Sequence, residues 1–425
     1  MHYPQVKHNK ELSDNGRYLI LALYFCSLIL FGFLVNTPTE IFWGIEKIIT
    51  SPDTLITDYM GVGGIGAALV NSGLLTLIVL LIFYNLKLQI NGVSIACLFT
   101  VAGCSLFGKN LFNIWFIIIG VFLYIKVQKK SFKDLIYPAF FGTALAPITT
   151  EILFSTTASI WIRVPLAITI SLVIGFILCP VSANLLKVHQ GFNLYNMGFT
   201  AGIVGTIVVS LLNSYGIIPE PQMIWTRGNN KIFGFYLFLM FSSMIITGIY
   251  LEKKPWLKLK NIWEYSGQLI TDFVLLQGFG ASLINMGING CIVTLYILLI
   301  GGDLNGPTMG GILTVVGFSA FGKHPKNIVP IMIGICLGAL GKEGNINDPS
   351  MLLAALFGTT LAPIAGKYGW MWGLVAGFIH SSVVRNVIVL HGGLNLYNNG
   401  LAAGIVAAVL LPIIETFKQD KLKSL

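Results

Sequence analysis

The segment HQGFNLYNMGFTAGIV at His189–Val204 occurs a second time, as HGGLNLYNNGLAAGIV at His391–Val406. Eleven of the sixteen positions are identical in the two copies. The shared positions include an imidazole, two amides, a tyrosine and several glycines, and both copies lie in strongly apolar surroundings. A polar, glycine-rich segment that the chain uses twice indicates an internal duplication.

Further matched segments extend the duplication along the chain. GAALVNSG at 66–73 recurs as GASLINMG at 280–287, and GCSLFGK at 103–109 recurs as GFSAFGK at 317–323. FGTALAPI at 141–148 recurs as FGTTLAPI at 357–364. The predicted organisation is an N-terminal segment 1–16, a first repeat 17–215, a linker 216–230, a second repeat 231–416 and a basic tail 417–425.

The composition places both repeats in a membrane. The 425 residues are 55% hydrophobic and 10% charged, whereas a soluble domain has roughly 25% charged residues. Apolar runs approach the roughly 20 residues that cross the hydrocarbon, and the alternating segments of a β-barrel are absent from the sequence. We predict an all-α polytopic membrane protein with about 12–14 transmembrane or re-entrant helices. The net charge of +9 fits lysine and arginine on the cytoplasmic side and no nucleic-acid partner.

Charge distribution predicts that the two repeats are inverted. Basic residues precede the first helix of the first repeat, whereas in the second repeat they follow it, as EKKPWLKLK at 252–260. Since cytoplasmic loops are rich in lysine and arginine, equivalent ends face opposite sides of the membrane. We expect a multi-pass protein of the bacterial inner membrane, with its N- and C-termini in the cytoplasm.

Each repeat contains two candidate helix breaks. Non-helical backbone survives at membrane depth only where protein or a water-filled cavity surrounds it, and paired breaks are a pointer to a binding site near the midplane. The predicted break residues are Gly142, Pro147, Gly358 and Pro363 in the first pair of segments and Gly191, Gly198, Gly393 and Gly400 in the second.

The polar side chains of the repeated segment are the candidate substrate or ion ligands. Asparagine, tyrosine and histidine offer hydrogen-bond donors and acceptors without a fixed charge, and histidine also titrates near neutral pH. An equally simple interpretation is that these groups satisfy one another and hold a bend between two helices. The candidates are Asn193, Asn196, Asn395, Asn398, Tyr195, Tyr397, His189 and His391.

Five charged residues have two interpretations each. Asp58 and Asp272 match between the repeats and are predicted helix N-caps rather than functional acids. Lys109 and Lys323 end an apolar segment, so we expect them to reach the membrane surface as anchors rather than to bind an anion. Arg385 has no counterpart in the first repeat and is a candidate for an anionic substrate or for a salt bridge on one side only.

Enzyme signatures are absent from the sequence. It contains no Walker A motif, no HExxH and no CxxC pattern, and the six cysteines lie in apolar segments. We therefore expect no enzymatic activity, no cofactor and no metal site.

The repeated motifs GFSAFGK, FGTTLAPI and HGGLNLYNNGLAAGIV resemble those of a bacterial family of polytopic membrane proteins of unknown function, mainly from Firmicutes. That resemblance covers nearly the whole chain and implies no substrate. The segments Leu194–Gly198 and Leu396–Gly400 are more weakly similar to a turn of urea transporters, whose proline-rich signature is missing here. This second resemblance implies inverted halves and a passive, channel-like mechanism.

The functional expectation is a membrane permease, a secondary transporter of a small polar or anionic solute coupled to Na⁺ or H⁺. One alternative is a passive channel for a small neutral solute. A second is a membrane scaffold or subunit that transports nothing. The expected partners are the solute, Na⁺ or H⁺ and the lipid bilayer, and a homo-oligomer is compatible with the sequence.

Overall fold

The computed structural model describes residues 12–156, 158–340 and 344–423, with side chains up to residue 417. Within these ranges the regular structure is helical, with one isolated β-bridge between Thr57 and Ile224. The predicted all-α class is confirmed. Most of the predicted N-terminal segment, residues 1–11, lies outside the described residues, as do residues 424–425 of the predicted tail.

Ten α-helices belong to the described part of the first repeat. They are α1 (Asp14–Val35), α2 (Pro38–Thr50), α3 (Tyr59–Gly63), α4 (Ile65–Asn85), α5 (Gly92–Cys104), α6 (Trp115–Val127), α7 (Ile136–Gly142), α8 (Pro147–Phe154), α9 (Ile160–His189) and α10 (Asn196–Ser214).

The described part of the second repeat has the same order of helices. They are α11 (Asn230–Leu251), α12 (Pro255–Ile262), α13 (Phe273–Gln277), α14 (Phe279–Leu299), α15 (Gly306–Phe318), α16 (Pro325–Leu340), α17 (Pro349–Phe357), α18 (Ala362–Tyr368), α19 (Trp370–Val387) and α20 (Asn398–Lys423). Helix α1 begins inside the predicted N-terminal segment because the Ser13 side chain caps it, and α20 continues into the predicted tail.

Ten helical segments of the described chain are long and apolar enough to cross a membrane, five in each repeat. In each repeat, one of the five consists of two short helices joined by a 3₁₀ turn: α7 and α8 in the first, α17 and α18 in the second. The odd number of spans per repeat is what an inverted arrangement requires.

Two further apolar helices of each repeat, α5 and α6 in the first and α15 and α16 in the second, are shorter than a full crossing. Helix α5 has 13 residues and is about 20 Å long, and its equivalent α15 has the same length. The two pack side by side with opposite directions, since Gly103 packs against Gly310 and Gly317 against Ala96. Each re-entrant helix therefore lies against its inverted counterpart in the middle of the bundle.

The two aspartates confirm the capping interpretation and extend it. Asp58 is the N-cap of α3 and accepts a hydrogen bond from the Met60 amide at 3.0 Å, and Asp272 likewise caps α13. Each carboxylate also accepts a hydrogen bond from the backbone amide of the first residue of the short helix, α15 or α5, in the other repeat. Asp58 accepts from the Gly306 amide at 3.2 Å, and Asp272 from the Gly92 amide at 2.8 Å. A negative charge at a helix N-terminus is favourable, so each repeat anchors a helix of its partner.

These contacts define two ends of the bundle. The basic end contains the first residue of α5 and the lysine-rich segments 126–133 and 252–260. The opposite end contains the first residue of α15, the segment 51–58 and the linker 215–229.

Candidate functional site

Two lysines are buried inside the bundle. Lys109 and Lys323 follow the re-entrant helices α5 and α15, and each has 0% of its surface exposed. The expectation that they reach the membrane surface is wrong. The turn after each helix bends back, because the amides of both lysines hydrogen-bond to the ends of their own helices, at the Cys104 and Phe318 carbonyls.

Each lysine donates a hydrogen bond to a tyrosine of the other repeat. The Nζ atom of Lys323 lies 2.6 Å from the Tyr195 hydroxyl oxygen and 2.8 Å from Thr359 Oγ1. The Nζ atom of Lys109 lies 2.6 Å from the Tyr397 hydroxyl oxygen. Both Nζ atoms also lie over the faces of these tyrosine rings, at 4.5 and 4.8 Å from the ring centroids. Such contacts favour the protonated form of a lysine without pairing it with a negative charge.

Neither lysine forms an ion pair with a carboxylate of the described chain. Ion pairs between described side chains include Arg17 with Asp14, Arg227 with Asp303, Lys258 with Glu252 and Lys326 with Glu264. An uncompensated charge buried at membrane depth costs several kcal/mol, and such residues are functional more often than structural.

The two tyrosines belong to the repeated Asn-Leu-Tyr-Asn segments, which are non-helical as predicted. Helix α9 ends at His189 and α10 begins at Asn196, and the second copy is interrupted in the same way before Asn398. The Tyr195 amide donates to Asn193 Oδ1 and the Tyr397 amide to Asn395 Oδ1, both at 3.0 Å. The backbone of each break is thus satisfied within the protein.

The two histidines before the breaks hydrogen-bond to the asparagines that begin α10 and α20. His189 Nε2 lies 2.9 Å from Asn196 Oδ1, and His391 Nε2 lies 2.9 Å from Asn398 Oδ1. Since the amide nitrogens of these asparagines donate to the carbonyls of Ser182 and Val384, their oxygens face the rings. Nε2 is therefore the protonated nitrogen in each pair, by inference from the hydrogen-bond network.

Two of the predicted break glycines have another role. Gly198 and Gly400 lie inside α10 and α20, so their assignment as helix breaks is wrong. The two helices cross there, and a Cβ atom on Gly400 would lie 2.8 Å from the Gly198 Cα. Glycine is needed at this crossing for the close approach of two backbones.

The Gly-Pro breaks are present as 3₁₀ turns. One such turn, Thr143–Leu145, lies between Gly142 and Pro147, and another, Gly358–Leu361, precedes Pro363. The second turn supplies Thr359, the additional acceptor for Lys323.

A cavity of about 450 Å³ lies toward the basic end. Its wall is mostly apolar, with polar side chains at intervals along its length. Residues from both repeats line it, among them Asn91, Thr100, Tyr195, Asn196, Asp272 and Tyr397.

A second cavity, of about 130 Å³, lies toward the opposite end. Its lining repeats that of the first cavity: Ile56, Leu396 and Asn398 are the counterparts of Ile270, Leu194 and Asn196. Phe357 lines both cavities. The two spaces are therefore equivalent chambers of unequal size that meet at one aromatic side chain.

The structure distributes the predicted site residues over several places. Tyr195, Tyr397 and Asn196 line the larger cavity, whereas Asn398 and Arg385 line the smaller one. Asn193 and Asn395 are fully buried and donate to the Gly400 and Gly198 carbonyls, across the α10–α20 crossing. Whether any of them contacts a solute stays a prediction.

Sequence reasoning missed the two lysines as site residues. The available signal was their repetition after Phe-Gly in two strongly apolar segments. Only the packing shows that both face inward, behind the tyrosines that line the cavity.

Comparison with protein families places the chain in one of them. The family described as "Protein of unknown function (DUF1576)" matches residues 37–214 and 251–416. The chain belongs to the DUF1576 family. The predicted membership in a membrane-protein family of unknown function agrees with this match. The origin of that family and the weaker resemblance to urea transporters stay predictions.

The two matched segments of the DUF1576 family coincide with the two repeats. They contain the lysines, the tyrosines and the paired breaks of both, and leave out the first helix of each repeat, α1 and all but the last residue of α11. No curated protein and no solved structure matches the chain.

Proposed function

We propose that this DUF1576 protein is a permease that moves a small anionic solute across the membrane by alternating access. The observation that carries the proposal is the position of Lys109 and Lys323, buried without a carboxylate partner behind tyrosines that line the larger cavity.

The lysines lie one after the other along the bundle. His324, next to Lys323, approaches the Tyr265 carbonyl near the basic end, whereas Asn110, next to Lys109, donates to the Ile48 carbonyl near the opposite end. A solute that passes from one chamber to the other would meet each Lys–Tyr pair in turn. An anion would compensate the buried charges, which a neutral solute would leave uncompensated.

The two unequal chambers support alternating access. A transporter built from inverted repeats exchanges the conformations of its halves, so one chamber is wide while its equivalent is narrow. Volumes of about 450 and 130 Å³ fit one such state. If the basic end is cytoplasmic, as the distribution of lysine predicts, this state opens toward the cytoplasm of a bacterial cell.

The position of Arg385, at the end of the bundle opposite the basic end, also supports an anionic solute. It is exposed and lines the smaller chamber at the opposite end. An arginine at this mouth would raise the local concentration of anions.

Ligand-dependent thermal stabilisation tests the substrate class. A ligand that binds only the folded state raises the apparent melting temperature. We expect stabilisation of the purified protein by a subset of small anions, screened as carboxylates, phosphate, sulfate and nitrate, and no stabilisation by urea or acetamide. Uptake of the stabilising anion into proteoliposomes would then establish transport.

The same screen separates the alternatives. Stabilisation by neutral amides, with flux that ignores ion gradients, would support the passive channel. An absence of both stabilisation and flux for every compound would support the non-transporting scaffold.

A further inference from the structure

A buried acidic site lies in the first repeat, at the end of the bundle opposite the basic end. Asp53, in the segment between α2 and α3, has 0% of its surface exposed. Its Oδ2 atom accepts hydrogen bonds from Thr150 Oγ1 at 2.8 Å and from Asn113 Nδ2 at 3.1 Å. This segment lies outside the ten spans.

The other carboxyl oxygen of Asp53 has no hydrogen-bond partner. Oδ1 is buried and unpaired, and so is Oε2 of Glu151, the residue that follows Thr150 in α8. Among the described side chains, these are the buried carboxyl oxygens without a partner. An unsatisfied buried carboxylate oxygen is costly, and binding a proton removes its charge.

The site exists in the first repeat only. Gly267 occupies the position of Asp53 in the second repeat, and Gly366 and Lys367 occupy those of Thr150 and Glu151. Duplication preserved the capping aspartates but not this carboxyl pair. A carboxyl pair at one end only would make the two directions of transport unequal, which two identical halves could not do.

Asp53 is connected to the buried lysine of its own repeat. The Asn113 amide that donates to Asp53 also donates to the Gly108 carbonyl at 3.0 Å. The next residue is Lys109, whose Nζ holds Tyr397. Two residues after Asp53, the Leu55 amide donates to the Gly393 carbonyl in the second repeated break, at 2.8 Å. A change of charge at Asp53 can therefore act on both members of one Lys–Tyr pair.

We propose that Asp53 binds the proton that drives transport, and that its protonation loosens the turn that positions Lys109. The coupling role rests on the proposed permease function, whereas proton binding by Asp53 does not. Protonation replaces the carboxylate with a neutral acid, which weakens the charge-assisted hydrogen bond from Asn113.

Burial moves the titration of the Asp53 carboxyl into the neutral pH range. The pKa of Asp53 is raised to about 7, chiefly by burial; the nearby Glu151 carboxyl also raises it, while the hydrogen bonds from Thr150 and Asn113 lower it. The ionisable groups around it are therefore Tyr59 on α3, Glu151 on α8 and, farther along the turn, Lys109.

Infrared titration tests proton binding without any substrate. Purified wild-type protein in lipid should gain a carboxylic-acid C=O band with a midpoint near neutral pH, and Asp53→Asn should lack it. Glu264→Gln, an exposed carboxyl that pairs with Lys326, is the matched control and should keep the band. Identical titrations of wild type and Asp53→Asn would overturn the proposal.

A second variant covers failure of Asp53→Asn to fold. Thr150→Val removes a hydrogen bond that favours the ionised carboxylate, so the midpoint of the band should move to higher pH. An unchanged midpoint would overturn the proposal as well.

Proteoliposomes test the coupling role. Wild-type protein should take up the stabilising anion faster when the outside is more acidic, and Asp53→Asn should exchange labelled anion yet ignore the pH gradient. A response to Na⁺ instead of pH, or a pH response that Asp53→Asn retains, would overturn coupling through Asp53. A wild-type protein that moves no anion would overturn the permease and the coupling role, and the infrared titration would still decide whether Asp53 binds the proton.

Discussion

Lys323 of the second repeat donates a hydrogen bond to Tyr195 of the first, with 2.6 Å between Nζ and the hydroxyl oxygen. Lys109 of the first repeat donates the equivalent hydrogen bond to Tyr397 of the second, at the same distance. Each half of the protein therefore supplies a buried lysine whose amino group is held by the polar break of the other half. The proposed anion site depends on this exchange.

Lys323→Met should weaken anion binding and leave the fold intact. Methionine keeps the volume of the side chain and removes a buried charge, so the cost to stability is small. Loss of a charge-assisted contact should weaken binding roughly tenfold to a hundredfold. The measurement is anion-dependent stabilisation, with Lys326→Met as control, since Lys326 is exposed and only three residues away. Equal binding by both variants would contradict an anion site at Lys323.

Tyr397→Phe should destabilise the protein more than Tyr195→Phe. Lys323 keeps Thr359 as an acceptor when Tyr195 is lost, whereas Lys109 donates to Tyr397 alone among the described side chains. An unsatisfied buried donor costs about 1–3 kcal/mol. Thermal unfolding in detergent measures the difference, and Tyr250→Phe on the exposed surface of α11 is the control. The reverse order of melting temperatures would contradict this account.

Gly400→Ala should destabilise the bundle by about 1–3 kcal/mol, because its Cβ would collide with the Gly198 backbone and force α10 and α20 apart. Gly234→Ala is the matched control. In helix α11 the nearest atom to its added Cβ is 3.7 Å away, which is ordinary contact, so helix propensity should make this variant neutral or slightly stabilising. Similar melting temperatures for the two variants would show that the crossing is looser than described.

Phe357→Ala should connect the two chambers, since Phe357 lines both. We expect anion flux that no longer depends on an ion gradient, measured in proteoliposomes with and without the gradient. Phe378→Ala, on the exposed surface of α19, is the control and should stay gradient-dependent. Retained coupling in Phe357→Ala would exclude this residue as the barrier.

Stability should fall as pH rises toward neutrality, through Asp53. The pKa of Asp53 is raised to about 7 in the folded protein, against about 3.9 in an unfolded chain. Between these values the folded state binds more protons, so the free energy of unfolding decreases with pH. Asp53→Asn should remove this part of the pH dependence, and melting temperatures of both proteins from pH 4 to 8 would measure it. A parallel pH dependence would contradict the raised pKa.

The duplication predicts much of the architecture from sequence alone. Matched segments in the same order along the chain define two repeats, and the reversal of basic flanks predicts their inversion. The breaks before Asn196 and Asn398 follow from polar, glycine-rich sequence in apolar surroundings. These features depend on local composition, which a sequence shows directly.

The site itself depends on contacts between distant residues. Lysine at the end of an apolar run has the same local pattern whether it reaches the surface or turns inward, and only the packing of α5 against α15 decides between them for Lys109 and Lys323. The role of Gly198 is equally hard to predict from sequence, since a glycine at a helix break and a glycine at a helix crossing have the same local pattern. Asp53 lacked the repetition that drew attention to the other acids.

The caps that Asp58 and Asp272 provide across the repeats have a consequence for the origin of the chain. A protein with one repeat would leave the first turn of its re-entrant helix without an acid and its lysine without a tyrosine. Two copies inserted into the membrane in opposite orientations would supply both. An ancestor of half this length would therefore have worked as an antiparallel homodimer, and gene fusion would have made the pair permanent and allowed its two halves to diverge.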